Sequence, residues 1–250
     1  YYGVIEDSYK AIHSLRHAKH RKFYNKFVIE GKRIVRSALV YNANIGTIFC
    51  VDNFLKENKS WVQRYLKKGT AIKKIDKKTL LKISNTKSPQ GILAVCDIPK
   101  QNRIKLTMDR WIYLDKISDP GNMGTLIRSC AWFGIKNIAL SPKCADPYNP
   151  KTIRAAMGAH FVVTLYPNTD LSIFKNTHKI IAADLSGKNA SAYEFPNKCV
   201  LVLGSEAHGI SNQNLDCIED FIFINKLGSG NSLNVSTAGS ILLYLLMNKL

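Results

Sequence analysis

Three short stretches of this chain set glycine beside groups that can hold charge or donate hydrogen bonds. Asp119-Pro120-Gly121 reads as a tight turn, and Asn122 stands where a helix N-cap is expected. Leu126, Ile127, Cys130 and Ala131 give the following helix an apolar face, and Arg128 lies off that face. Arg128 is either a surface cation pairing with Asp115 or Asp119, or a charge held for a substrate. Leu201-Val202-Leu203 runs into Gly204, where a backbone without Cβ can approach a ligand closely. Glu206 follows; it is either a carboxylate satisfied by free helix N–H groups or part of a site. His208, two residues on, is a nearby imidazole of the kind that can act as a base. Ser232 and Asn234 precede a long apolar helix and either cap it or join the same site. Each stretch is a strand-to-turn-to-helix junction, and an α/β protein builds a single site from such junctions at its strand ends.

The elements that must position these groups follow from periodicity. Strands are expected at Trp111–Asp115, Asn137–Leu140, Phe161–Leu165, Lys179–Ala183, Cys199–Leu203 and Phe221–Ile224. Helices are expected at 122–133, 150–157, near 170–176 and at 235–248. Their alternation implies a mostly parallel sheet covered by helices. Before it, Phe27–Ile29, Thr47–Val51, Ala71–Ile75 and Gly91–Cys96 read as strands. Gly31–Leu39, Trp61–Lys68 (stopping at Gly69) and Lys77–Ile83 read as helices between them. These make a small α/β domain, preceded by a cationic helix over 10–22. Two domains are expected, 1–100 and 107–250, joined across the polar stretch Pro99–Met108.

Charge divides the same way. The net charge is +18, and residues 1–110 hold 24 Lys and Arg against 8 Asp and Glu, whereas 111–250 hold 12 against 10. One segment is built to hold a polyanion and the other is nearly neutral. The 46% apolar content is that of a globular chain. Six cysteines show no C-x-x-C pair and no histidine at zinc-ligand spacing, so reduced thiols in a reducing, cytoplasmic setting are expected, with no metal. The longest apolar run, Ile241–Met247, is far short of the roughly 20 residues a membrane span needs. Tyr1-Tyr2-Gly3 lacks Met and the basic-then-apolar pattern of a secretory signal.

In order and separation, Asn122-Met123-Gly124-Thr125-Leu126-Ile127-Arg128, Leu201–Gly209 and Ser232–Ala238 resemble the three motifs of the SpoU-type (TrmH-like) RNA ribose 2′-O-methyltransferases of the SPOUT superfamily. The resemblance runs from about residue 10 to 248. It implies an α/β fold: a trefoil-knotted, mostly parallel sheet with flanking helices, behind a small N-terminal α/β RNA-binding domain that Thr86–Val95 also resembles. It implies S-adenosylmethionine as methyl donor and a ribose 2′-hydroxyl as acceptor. Arg128 would sit near the target ribose. Arginine is a poor base, so it would orient the hydroxyl and stabilise developing charge instead. Glu206 would organise the knot loop and Arg128, with Asn122, Ser232 and Asn234 completing the site. The backbone at Gly204, Ile224 and Leu233, with Leu203 and Ser232 beside it, would hold the cofactor. His208 matches no catalytic position of the family and is read as structural.

RNA contacts are expected at Arg16, Arg21, Lys22, Lys32, Lys87 and Arg154. Arg154 and the Pro147–Lys151 segment match the family as a loop and helix beside the RNA, the alternative being a plain turn and helix start. The chain departs from the family at Ala207 and Asn231, neither of which carries an assigned role. Ribosomal RNA is the expected substrate and transfer RNA the alternative, since a separate N-terminal domain of this kind commonly accompanies rRNA-modifying members. A homodimer is implied, with the last helix at its interface. A non-catalytic RNA-binding or ribosome-assembly protein is the reading from another class. Retention of Asn122, Arg128, Glu206, Ser232 and Asn234 argues against it. A nicotinamide-type site is excluded, because Gly228-Ser229-Gly230 begins G-x-G-x-x-G but position 233 is Leu. No P-loop is present.

Overall fold

The computed structural model describes residues 8–65, 70–101 and 103–248. The chain forms two compact units, 1–100 with 146–161, and 101–145 with 162–250.

The first unit opens with two short helices, α1 (Tyr9–Ser14) and α2 (Ala18–Tyr24), in place of the single exposed helix expected over 10–22. Ile12 and Leu15 bury into the core. In one continuous helix Arg21 would lie on the side opposite Ile12, facing solvent. The break at Leu15–His17 turns it inward, to 1% exposure. There Nη1 donates to the Leu15 and Arg16 carbonyls at 2.8 Å each, groups the helix break leaves open. Nε donates to Asp146 at 3.0 Å, and Nη2 pairs with the same carboxylate. Arg21 is therefore corrected from an RNA contact to a buried brace.

After α2 come β1 (Lys26–Glu30), α3 (Lys32–Val40), β2 (Ile45–Cys50), α4 (Asp52–Tyr65), β3 (Ala71–Lys74), α5 (Lys77–Ile83) and β4 (Ile92–Asp97). The sheet order is β1-β4-β2-β3, with β4 antiparallel to both neighbours and β2 parallel to β3. Helix α4 begins nine residues before the expected Trp61. Its apolar period is masked by Asn58, a buried polar residue that donates to the Phe54 carbonyl at 2.9 Å and accepts from Trp61 Nε1 at 3.0 Å. The expected stop at Gly69 lies outside the described residues.

The chain continues as β5 (Arg110–Asp115), α6 (Pro120–Trp132) and β6 (Asn137–Leu140), then α7 (Pro150–Ala156). Helix α7 belongs to the first unit, not to the second domain in which it was expected. Three contacts explain this: Asp146 takes Arg21, the Tyr148 ring lies 4.9 Å from Phe27, and Ile153 joins the first unit's core. His160 closes this segment, its Nε2 2.6 Å from the Pro147 carbonyl, and burial pushes its pKa down to about 4.

Then come β7 (Thr164–Tyr166), β8 (Lys179–Asn189), β9 (Cys199–Gly204), α8 (Asn212–Leu215), β10 (Asp220–Phe223) and α9 (Val235–Asn248). The helix expected near 170–176 is a 3₁₀ turn, Leu171–Phe174, capped by Asp170. The six strands are ordered β10-β8-β9-β5-β6-β7, and every neighbouring pair is parallel. Trp111, Tyr113, Val200 and Val202 share one core, lying on one pleat face. α9 packs on α6, with Ser129 and Ser240 hydroxyls 2.7 Å apart. A Cβ at Gly239 would fall 2.5 Å from Leu126 and 2.7 Å from Leu203, so glycine sets that close approach. Strand β8 runs longer than expected. Its pairing with β10 jumps from Ala182 to Lys188, and residues 183–187 bow out between.

Removing the Arg21 side chain leaves one Asp146 oxygen and the Leu15 and Arg16 carbonyls without their Arg21 donors, while the other Asp146 oxygen keeps the Tyr148 N–H. Arg21→Ala should cost the first unit about 2 kcal/mol, the scale of hydrogen bonds lost to a half-buried charged group. Hydrogen exchange should show lost protection in α2 and 146–161, with β5, β6 and β9 unchanged.

Candidate active site

The register of the central strands brings the junctions together. β5 and β9 pair with Leu114 opposite Leu203 and Asp115 opposite Gly204, so the turns that follow both strands leave the sheet at one level. Helix α6 starts earlier than expected. Asp119 is its N-cap, accepting from the Asn122 backbone N–H at 2.9 Å, and Pro120 occupies the first turn, where its missing N–H costs nothing. Asn122 is thereby released from capping.

The Asn122 side chain links the other two junctions. Its Nδ2 donates to Glu206 Oε1, and its Oδ1 accepts from Asn234 Nδ2 at 3.0 Å. A carboxylate only accepts, so the amide must present its NH₂ to Glu206 and its oxygen to Asn234. Asn234 in turn heads α9, with Oδ1 accepting from the Ser236 backbone at 2.9 Å and hydroxyl at 2.6 Å.

Glu206 rides on a tight loop. Ser205 and Gly209 exchange backbone bonds at 3.0 and 2.8 Å. A Cβ at Gly204 would fall 2.6 Å from the Ile210 nitrogen and closer still to the Gly209 carbonyl, so only glycine fits beneath the loop. Past the loop, Ser211 N–H donates to the buried Asp115 carboxylate at 2.7 Å.

Beside this chain of bonds lies a cleft of about 670 Å³. Leu203, Gly204, Ile224, Ser232 and Leu233, the five residues expected around the cofactor, all line it, as do Glu206 and Asn234. Arg128 is exposed on α6 and makes no ion pair or hydrogen bond among the described residues. Asp115, one partner considered for it, is fully buried and accepts from Ser211 instead. His208 is exposed at the loop tip. The sequence reading missed Leu185, which reaches the cleft from the bowed segment of β8, and Leu227 on its rim, 79% and 93% exposed. Gly187, which interrupts the strand pattern there, was the available signal.

Arg16, Lys22, Lys32, Lys87 and Arg154 are exposed, and all belong to the first unit. Glu30, also missed, fixes the loop of Lys87: its carboxylate accepts from the Ser84 hydroxyl and the Asn85 N–H, both at 2.6 Å.

An all-parallel sheet with a ligand-sized cleft and polar groups beyond its strand ends defines an α/β domain that binds a small molecule there. Residues 109–244 match the model of the SpoU rRNA methylase family, and the chain belongs to that family. Residues 7–94 match the MRM3-like substrate-binding domain. The chain is 29% identical over 233 residues to the 23S rRNA (guanosine(2553)-2′-O)-methyltransferase RlmP of Bacillus subtilis, covering 90% of each chain. It is 26% identical to the mitochondrial rRNA methyltransferase 3 of Xenopus tropicalis, covering 91% of this chain and 71% of that one. A TrmH-family structure from Porphyromonas gingivalis superposes with a TM-score of 0.86 at 27% identity, over 97% of this chain and 98% of that one. The fold is also that of the SpoU methyltransferase AviRb from Streptomyces viridochromogenes, crystallised with AdoMet (TM-score 0.84, 21% identity, 96% and 97% covered).

Gly204→Ala should push the 205–209 loop off the sheet and move Glu206 from Asn122. Calorimetric titration with S-adenosylmethionine should show affinity lost by about tenfold or more, on the scale of an overpacked site, while circular dichroism stays that of the parent.

Proposed function

We propose that this protein transfers a methyl group from S-adenosylmethionine to a ribose 2′-hydroxyl of ribosomal RNA. The observation that carries the reading is the bonded chain Glu206–Asn122–Asn234 at the mouth of the cleft. The cleft suits such a cofactor: its volume lies within the usual range for small-molecule sites, and Leu203, Ile224 and Leu233 offer apolar cover. Gly204, Ile224 and Leu233 would hold the cofactor by their backbone, with Leu203 and Ser232 beside them. When bound, S-adenosylmethionine supplies an electrophilic methyl group.

The chain's own residues then do four things. Asn122 and Glu206 fix the start of α6, and with it the placement of Arg128. Arg128, exposed and without a partner among the described residues, orients the 2′-hydroxyl against the RNA phosphate and stabilises the negative charge that develops on its oxygen. Asn234 ties the cleft's polar rim to α9. The first unit, which carries most of the net charge, holds the RNA through Arg16, Lys22, Lys32, Lys87 and Arg154.

The trefoil knot of the family would be made by the path through 205–234. A homodimer would cover Trp132 and Tyr244, apolar side chains 84% and 53% exposed on α6 and α9. The six cysteines are unpaired, in keeping with the cytoplasm, and no helix among the described residues is long and apolar enough to cross a membrane.

Arg128→Ala should lower kcat by about 10² to 10³, the loss seen when one charge-stabilising donor is removed. Its affinity for S-adenosylmethionine should be unchanged. The measure is tritiated methyl transfer to unmodified ribosomal RNA, and full transfer by the variant would remove Arg128 from the mechanism.

A further inference from the structure

The inward turn of Arg21 has an outward counterpart. On α2, Lys19 and Phe23 are four residues apart and share one face, opposite Arg21. Phe23 is 69% exposed. Its neighbour Tyr24 meets it edge-to-face, with ring centroids 4.9 Å apart and planes at 87°, which leaves most of the Phe23 ring in solvent. His20 stacks along Tyr24 at 6.4 Å and 19°, and the His17 ring lies 6.3 Å from His20. A row of rings thus lines the helix. Lys19 and Lys22 beside it are exposed, and no carboxylate occurs in the sequence between Asp7 and Glu30. Asp146, the acid that reaches this helix from elsewhere in the unit, is engaged by Arg21.

A large exposed ring costs free energy in water unless something covers it. The surrounding charge chooses the occupant: a partner rich in phosphates that also carries flat apolar faces. Paired RNA hides its base faces in the stack and offers only shape and backbone, whereas an unpaired base presents a π-face. We propose that the outer face of α2 is a stacking platform for an unpaired nucleotide of the RNA substrate, with Phe23 as the ring beneath the base and Lys19 and Lys22 as the flanking phosphate contacts. This rests on the RNA-substrate reading above and adds to it which form of RNA the first unit engages.

The test is fluorescence anisotropy on the full chain. The probes are a labelled oligouridylate that cannot pair and a blunt RNA duplex of equal length, and the proteins are wild type, Phe23→Ala, Phe23→Leu and Phe23→Trp. Phe23 is a surface residue, so these variants should fold, and circular dichroism checks it. Phe23→Ala should bind the single strand about tenfold more weakly, the effect of losing one stacked base. Its duplex affinity and the salt dependence of binding should match wild type. Phe23→Trp should restore the single-strand affinity, and Phe23→Leu, apolar but unable to stack, should not. Wild-type single-strand affinity in Phe23→Ala, an equal fall on both RNAs, or full rescue by leucine overturns the platform while the RNA-substrate reading stands. Failure of the wild type to bind either RNA overturns both.

Discussion

Asn122 has one side-chain amide, and both ends of it are committed, the NH₂ to Glu206 and the oxygen to Asn234. The three residues come from turns 84 and 112 positions apart in the chain. Each turn leaves the sheet on its own path, and nothing in local structure requires them to meet. Their meeting fixes the end of the cleft, the start of α6 and the start of α9 at once. An aspartate at 122 could not serve, because it would place a second acceptor against Glu206. The site is a polar network at the surface of an apolar fold, and its form follows from the Asn122 amide, whose NH₂ and oxygen each hold a side chain from a different turn.

What allows the turns to meet is backbone geometry beneath them. The β5–β9 register sets Asp115 beside Gly204. Gly204 admits the 205–209 loop at a distance no other residue would permit, and Asp115 receives Ser211 on the loop's far side. Gly239 does the equivalent work for the helices, letting Leu126 and Leu203 press against α9. The first unit solves a different problem. It must keep a dense run of cations folded, and it does so by turning one of them, Arg21, inward to close a helix break and to bind Asp146, leaving the others in water.

Much of this was legible beforehand because strands and long helices declare themselves by period. Asn137–Leu140, Lys77–Ile83 and Val235–Asn248 stand where alternation and helical spacing place them. The misreadings cluster where tertiary partners decide. Asn122 and Asp119 were both able to cap α6, and the choice fell to Asp119 because Pro120 suits the first turn and Asn122 has partners elsewhere. Arg21 looked like its neighbours because charge alone does not say which cation has a carboxylate waiting 125 residues away. Asn58 hid the first turns of α4 because a buried amide reads as a polar face. The packing of 146–161 with the first unit depends on contacts distant in sequence, so no local pattern announces it. The cleft-lining residues expected from the resemblance do line one cleft.

The central claim is that the Asn122 amide organises a methyl-transfer site. It is tested most directly by single-turnover transfer of labelled methyl to unmodified ribosomal RNA, comparing wild type with Asn122→Ala and mapping the product by alkaline hydrolysis. The account predicts label at an alkali-resistant linkage with the wild type. It predicts a rate at least about a hundredfold lower for the variant, the cost of a misplaced catalytic group, with both units still folded. Equal rates for the two proteins, or label on a base instead of the ribose, would contradict it.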